Sequence, residues 1–160
     1  MPNTSHSARF VDMYSRRGFL GTAFALSCMT LHANAGAPIE LRIASVGDEL
    51  AFEPDHLTCP TGASVRLIFH HAGEIISDPH NWVLLKPGTE AAFFADADKQ
   101  SDVKAIPDGD AAMVLTATPI CGKGEITMVD FVAPAPGQYT FVCSVPGHGE
   151  TMQGVLTVTV

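Results

Sequence analysis

A run near the end of the chain, CSVPGHGETM from Cys143 to Met152, contains three side chains that can bind a metal ion. Four residues separate Cys143 from His148, and three separate His148 from Met152. The Pro-Gly pair between the first two donors predicts a tight turn. The run therefore offers a thiolate, an imidazole and a thioether in one compact loop.

These donor types select copper among the common metals. Copper(I) favours sulfur and copper(II) favours imidazole, so two histidines, one cysteine and a weak axial methionine accommodate both valences. The second histidine must come from elsewhere, and His80 in the run PHNW is the candidate. The sequence therefore predicts one copper ion held by His80, Cys143, His148 and Met152.

The elements that must position these donors read as β-strands. From Glu40 onward, short apolar and β-branched runs alternate with Gly, Pro, Asn and Asp, which is typical of an antiparallel sandwich or barrel. The exception is the stretch from Pro87 to Pro107, where Thr89 precedes good helix formers and predicts one short helix in a long loop. The predicted strands are Glu40 to Val46, Glu49 to Glu53, Ser64 to His70, Trp82 to Lys86, Ala112 to Thr118, Ile126 to Val132, Gln138 to Cys143 and Val155 to Val160.

Residues two apart in a strand share a face, which predicts where two of the donors point. Cys143 shares a face with Phe141 in one strand, and His80 shares a face with Trp82 in another. Both faces carry large apolar groups, so the thiol and the imidazole point inward at strand ends, where they can meet.

At this point the chain resembles a cupredoxin of the azurin and auracyanin group. The matching runs are HNWVL, VLTATPICGKGE, APAPGQYTFVC and CSVPGHGETM, and the resemblance extends from Leu41 to Val160. The ligand loop is longer than that of plastocyanin and is similar to that of azurin. The resemblance implies an all-β Greek-key sandwich or barrel that carries single electrons on a blue, type 1 copper ion and is not an enzyme.

The resemblance also implies individual roles. Cys143, His80 and His148 would be the equatorial ligands and Met152 the long axial ligand, while Asn81 would join the two ligand loops by hydrogen bonds. The His148 edge would be the electron port to a donor and an acceptor protein. The patch around it would consist of Pro79, Val145, Pro146 and Gly147.

The chain departs from the azurin pattern at three positions. Pro79 stands where azurin has a glycine whose carbonyl lies near the copper, and the fixed φ of proline changes where that carbonyl points. Val145 stands where such loops usually have phenylalanine. Cys121 lies in a loop where the family predicts no cysteine.

The first 35 residues are predicted to be an export signal, which leaves residues 36–160 as the cupredoxin domain. Arg16 and Arg17 precede Gly-Phe-Leu, an apolar run and the small residues that end at Ala35, which is the order of a twin-arginine signal for the periplasm. A spanning helix needs roughly 20 apolar residues and this run has about a dozen, so no membrane span is expected in the mature chain. A retained leader, or a lipid on Cys28, would instead keep the protein at the membrane.

Composition limits the partners. The leader holds three arginines and one aspartate, so its removal changes the formal net charge from −8 to about −10. An acidic body disfavours nucleic acid and anionic membrane and suits a basic or neutral redox protein. We expect a monomer. The long loop from Pro87 to Pro107 and the residues that follow it, called the excursion below, are rich in aspartate. These aspartates are interpreted as a solvated face, with a docking surface for a cationic partner as the alternative, and they include Asp96, Asp98, Asp102, Asp108 and Asp110.

Several cysteines and histidines lie outside the predicted ligand set. Cys59 is expected to begin a strand that runs toward the copper end, whereas Cys121 lies in a loop at that end, so two free thiols are favoured over a disulfide. His70 and His71 are adjacent on a strand, so their side chains point to opposite faces and cannot reach one ion. We interpret both as surface residues.

Two other functions fit parts of the pattern. A periplasmic copper-binding or chaperone protein could use the same fold without redox cycling, although a thiolate in a closed loop disfavours such a role. A multicopper enzyme would need paired His-x-His motifs, which this chain lacks.

Overall fold

The computed structural model describes residues 36–75 and 78–160, and in them the chain forms nine strands and one α-helix. The predicted leader lies outside the described residues. The strands are β1 (Ile39–Ser45), β2 (Phe52–Glu53), β3 (His56–Pro60), β4 (Ser64–His70), β5 (Val83–Leu85), β6 (Val114–Ala117), β7 (Ile126–Val132), β8 (Gly137–Val142) and β9 (Gln153–Thr159), and the helix is α1 (Glu90–Ala97).

The strands form two sheets, with the orders β2-β1-β4-β7 and β3-β9-β8-β5-β6. Two pairs, β1 with β4 and β3 with β9, are parallel, and the others are antiparallel. The all-β sandwich prediction is confirmed, although the sheets are mixed rather than purely antiparallel. No helix in these residues is long and apolar enough to cross a membrane.

One core lies between the two sheets. Leu67 and Phe69 enter it from the first sheet, and Phe141 and Leu156 enter it from the second; all four are fully buried. Strands β4 and β8 alternate buried and more exposed residues along most of their length, because successive side chains point to opposite faces.

Trp82 lies in this core, immediately before β5. Its ring centroid is 6.0 Å from that of Phe131 on one sheet and 5.7 Å from that of Phe141 on the other. The side chain is fully buried, and its indole N–H has no hydrogen-bond partner. The ring therefore fills the space between the sheets purely by packing.

The helix covers the outer face of the second sheet, where a second apolar cluster forms. Phe93 and Ala97 of α1 pack with Val83, Leu85 and Val142. The helix begins one residue after Thr89, as predicted, but the Thr89 hydroxyl donates to the Lys86 carbonyl at 2.8 Å instead of capping the helix. The loop that follows contains a short 3-10 turn at Asp110–Ala112.

Strand β3 is not among the strands that the sequence predicts. Leu57 and Cys59 alternate with exposed neighbours and point into the core, while the strand pairs in parallel with β9. Because β9 runs away from the Cys143–Met152 loop, β3 does too, so the prediction that Cys59 begins a strand toward that loop is wrong. Cys59 lies near the opposite end of the sandwich, and its thiol is free, as is that of Cys121.

Candidate metal centre

Three side-chain donors converge at one end of the sandwich. The Sγ of Cys143 lies 3.8 Å from Nδ1 of His80 and 3.8 Å from Nδ1 of His148, and the two Nδ1 atoms are 3.2 Å apart. All three residues are buried. Among the described residues this is the one group of three His, Cys, Asp or Glu side chains close enough together to hold a metal ion.

The spacing of these atoms fits one ion among them. Proteins bind transition metals through imidazole nitrogen at about 2.0 Å and thiolate sulfur at about 2.3 Å, so donors around one ion lie roughly 3 to 4 Å apart. The measured separations fall in that range. One thiolate and two imidazoles form the donor set that blue-copper sites use.

The loop after β8 carries two of the donors and is folded by local hydrogen bonds. The Cys143 N–H donates to the Met152 carbonyl at 3.0 Å, which closes the loop at its base. Inside it, the His148 N–H donates to the Val145 carbonyl at 3.0 Å, and Gly147 has φ +78°. Proline followed by glycine at positive φ is the signature of a type II turn.

Met152 is fully buried in the core at the end of this loop. Its N–H donates to the His148 carbonyl at 2.7 Å, so the backbone links two of the predicted ligands directly. Met152 thus lies in the same loop as Cys143 and His148.

His80 is held by pairing with a distant segment. Its N–H donates to the Cys121 carbonyl at 3.0 Å, and the Cys121 N–H donates back at 2.9 Å, which forms an isolated antiparallel bridge. This bridge extends the pairing of β5 with β6 to residues before the start of β5 and after the end of β6. The backbone of Cys121 therefore positions His80, which explains structurally why this segment lies at the site.

Asn81 connects the two donor segments. Its Oδ1 accepts a hydrogen bond from the Ser144 N–H at 2.9 Å, and its Nδ2 donates to the Ala105 carbonyl at 3.1 Å. The Ser144 hydroxyl, with one hydrogen to donate, lies 3.1 Å from Asn81 Oδ1 and 2.9 Å from the Lys104 carbonyl. Asn81 and Ser144 are both fully buried.

Burial favours the neutral form of each of the three donors. Burial raises the pKa of the Cys143 thiol to about 11, because the thiolate is poorly solvated there. Burial, followed by His71 and His148, lowers the pKa of His80 to about 4, and burial lowers that of His148. The imidazoles are thus neutral and ready to coordinate, whereas the thiolate needs a nearby positive charge.

His71 is buried beside the site, which corrects the prediction that it is a surface residue. Its ring stacks on that of His80, with centroids 4.5 Å apart and planes at 29°. Its Nε2 lies 2.8 Å from the Asp78 carbonyl and its Nδ1 accepts from the Gly73 N–H at 3.1 Å, which sets the tautomer. The period-2 rule carried the signal, since Phe69 faces inward and His71 is two residues further on.

The predicted docking residues differ in exposure. Gly147 is exposed and Pro146 and Pro79 are half-buried, but Val145 is 6% exposed and belongs to the core. Including Val145 in a surface patch is therefore wrong, because its side chain points inward from the turn. His148 itself is 7% exposed, compared with 3% for His80.

The acidic excursion is only partly a solvated face. Asp96 pairs with Lys99 at 2.9 Å and Asp108 pairs with Lys104. Asp110, in contrast, is 2% exposed, and burial together with Asp96 raises its pKa. For Asp110 the interpretation as a solvated residue is wrong, since the 3-10 turn folds it inward.

Comparisons with known proteins agree with this geometry. A family of copper-binding proteins, the plastocyanin/azurin family, matches residues 39–159. Auracyanin-A of Chloroflexus aurantiacus is 36% identical over 128 residues, which is 78% of this chain and 77% of that protein. Azurin of Bordetella pertussis is 42% identical over 142 residues, which is 82% of this chain and 94% of that protein.

The solved structures give the same result. The crystal structure of dithionite-reduced auracyanin from Roseiflexus castenholzii superposes with a TM-score of 0.70 at 32% identity, over 78% of this chain and 100% of that chain. Fold and donor geometry therefore agree with the comparisons.

Proposed function

The chain belongs to the plastocyanin/azurin family of copper-binding proteins, and from that premise we propose that it is an exported carrier of single electrons. Azurin-type and auracyanin-type members of the family are electron carriers rather than enzymes. The finer proposal is that residues 1–35 direct export to the periplasm and that residues 36–160 hold one copper ion.

The proposed ligands are His80, Cys143 and His148, with Met152 as a weak axial ligand. The convergence of one sulfur and two nitrogens within 4.8 Å of one another carries this proposal. Copper bound there supplies one-electron chemistry, because it alternates between two valences. The protein contributes neutral imidazoles and a buried cysteine whose ionised form a cation stabilises.

A carrier also needs donors that move little when the valence changes. Here Asn81 joins the two donor segments, and the Cys143 to Met152 hydrogen bond closes the ligand loop. Both segments pack on the buried core. The hydrogen bonds that Asn81 accepts from the residue after Cys143 would also help to orient the sulfur. These contacts support rapid transfer with little rearrangement.

We place the electron port at His148, which is the more exposed of the two histidines. Pro146 and Gly147 beside it offer a small surface for brief contact with a redox donor and acceptor. The acidic charge of the chain suits partners that are basic or neutral. A copper chaperone without redox cycling is the competing function, and the following measurement separates the two.

Absorbance and electron paramagnetic resonance spectra of the copper-loaded mature chain test the proposal. We expect intense thiolate-to-copper absorption toward the red end of the spectrum, a narrow hyperfine splitting and reversible one-electron voltammetry. Cys143→Ser is the control and removes that absorption entirely. Copper binding without the intense band, or without reversible reduction, would support storage or delivery instead.

A further inference from the structure

The excursion between β5 and β6 contacts the ligand loop at several points. The Phe94 ring packs so closely over Gly149 that a Cβ there would lie 2.8 Å from Phe94 Cδ1. Gln100 donates from Nε2 to the Ser144 carbonyl at 3.1 Å. Between these contacts, Oδ1 of Asp98 accepts a hydrogen bond from the Gly147 N–H at 2.8 Å.

The Asp98 contact meets a specific need of the turn. The N–H of Gly147, at the third position of the Val145 to His148 turn, is not used by the bond that closes the turn, which comes from the His148 N–H. It therefore needs a partner outside the turn, and a carboxylate is the strongest acceptor available to a backbone N–H. Asp98 thus holds the Pro146–Gly147 peptide, one residue before His148.

The other acidic groups of the excursion do not share this role. Asp96 and Asp108 pair with lysines of the excursion itself, and Asp110 is folded inward. Asp98 lies at the C-terminal end of α1 and is exposed, so its charge stands at the rim of the loop beside His148.

We propose that Asp98 is a positioning residue for the ligand loop, holding the Pro146–Gly147 peptide and adding a negative charge beside the copper site. This inference rests on the proposed function, because it takes His148 as a ligand. A fixed loop keeps the imidazole in place and slows copper release. A nearby negative charge stabilises the more positive, oxidised site and therefore lowers the reduction potential.

Two substitutions separate the hydrogen bond from the charge. Asp98→Asn keeps an oxygen that accepts from the Gly147 N–H but removes the charge, whereas Asp98→Ala removes both. Asp102→Asn is the matched control, because it removes the same charge from an exposed residue of the same excursion. Thermal unfolding of the metal-free proteins checks that all three variants fold.

Copper release to an excess of chelator and protein-film voltammetry are the measurements. We expect Asp98→Ala to release copper roughly tenfold faster than the wild type, the effect of losing one hydrogen bond to a charged acceptor. Asp98→Asn should release copper within about twofold of the wild-type rate, since its hydrogen bond survives. Both Asp98 variants should have a higher reduction potential than Asp102→Asn.

Wild-type release rates in Asp98→Ala would overturn the positioning role. Equal potentials in Asp98→Asn and Asp102→Asn would overturn the effect of the charge. Either result, in proteins that all retain the intense red absorption, leaves the proposed function intact. Absence of that absorption in the wild type would instead contradict the proposed function.

Discussion

The two segments that bring the histidines to the site are built differently. His148 sits in a loop whose base, turn and final hydrogen bonds all lie between Cys143 and Met152. His80 is held by a pair of hydrogen bonds to Cys121, about 40 residues away, and its ring is stacked against His71. Short-range turn chemistry forms the first arrangement, whereas the second needs the completed sandwich.

This difference indicates how each donor responds to change. The loop is held by Asp98 but has an exposed side at Gly147, so a change there disturbs few core contacts. The His80 segment is enclosed by its strand partner and by a buried ring, so a change there disturbs the fold as well as the donor. Substitutions are therefore expected to be tolerated better in the ligand loop than in the His80 segment.

The largest expected effect comes from deleting each imidazole in turn. His148→Gly and His80→Gly should both lose the intense red absorption. Added imidazole should restore most of it in His148→Gly, because His148 is the more exposed of the two histidines and lies next to the exposed Gly147. Recovery should be under half in His80→Gly, where the gap is bounded by His71 and the Cys121 backbone.

Absorbance during an imidazole titration, with copper in slight excess, gives both values. Equal recovery in the two variants would show that His148 and His80 do not differ in how accessible their sites are to added imidazole. Absorption that persists in His148→Gly without imidazole would contradict the assignment of His148 as a ligand.

An intermediate effect is expected from separating the two segments at Asn81. Asn81→Ala leaves the buried Ser144 N–H and Ala105 carbonyl without these partners, which should lower the free energy of unfolding by about 3 kcal/mol. Ser144→Ala removes only a hydroxyl and should cost about 1 kcal/mol. Denaturant unfolding of the metal-free proteins provides the measurement, and a smaller loss for Asn81→Ala than for Ser144→Ala would show that the segments are held independently.

The smallest effect is expected from a change behind His71, the ring that stacks on His80. A Cβ on Gly73 would lie 2.7 Å from Cε1 of His71, so Gly73→Ala must displace that ring and weaken the hydrogen bond between them. We expect a loss of about 1 to 2 kcal/mol in unfolding free energy and a small shift of the red absorption.

Gly122→Ala is the matched control for that variant, since the nearest atom to its Cβ would be 3.6 Å away. Identical spectra for Gly73→Ala and the wild type would mean that His71 does not influence the position of His80.

The same contrast explains what could be predicted from the sequence. The ligand loop could be predicted, because the turn at Pro146 and Gly147 and the spacing of the donors depend only on residues close together in sequence. His80 could be placed from its alternation with Trp82 and from the resemblance of the HNWVL run, but the segment that holds it could not. Its pairing with Cys121 joins residues far apart in sequence, and no local pattern indicates such a partner.

The errors also have physical causes. His71 was judged from its neighbour His70, although the alternation from Phe69 pointed inward. Strand β3 was missed because it is a short edge strand whose only apolar inward residues are Leu57 and Cys59. Val145 was assigned to the surface because its turn is there, but within a turn the direction of each side chain depends on backbone angles that composition does not reveal.

Trp82 gives the molecule a built-in optical reporter. It is the only tryptophan in the sequence, its indole N–H has no partner, and it lies two residues from His80 between rings of both sheets. An indole shielded from water and from hydrogen bonds should fluoresce at short wavelength, and its emission should move to longer wavelength when the sheets separate. A nearby copper ion should quench that emission, so a single fluorescence spectrum can distinguish the loaded, metal-free and unfolded chain.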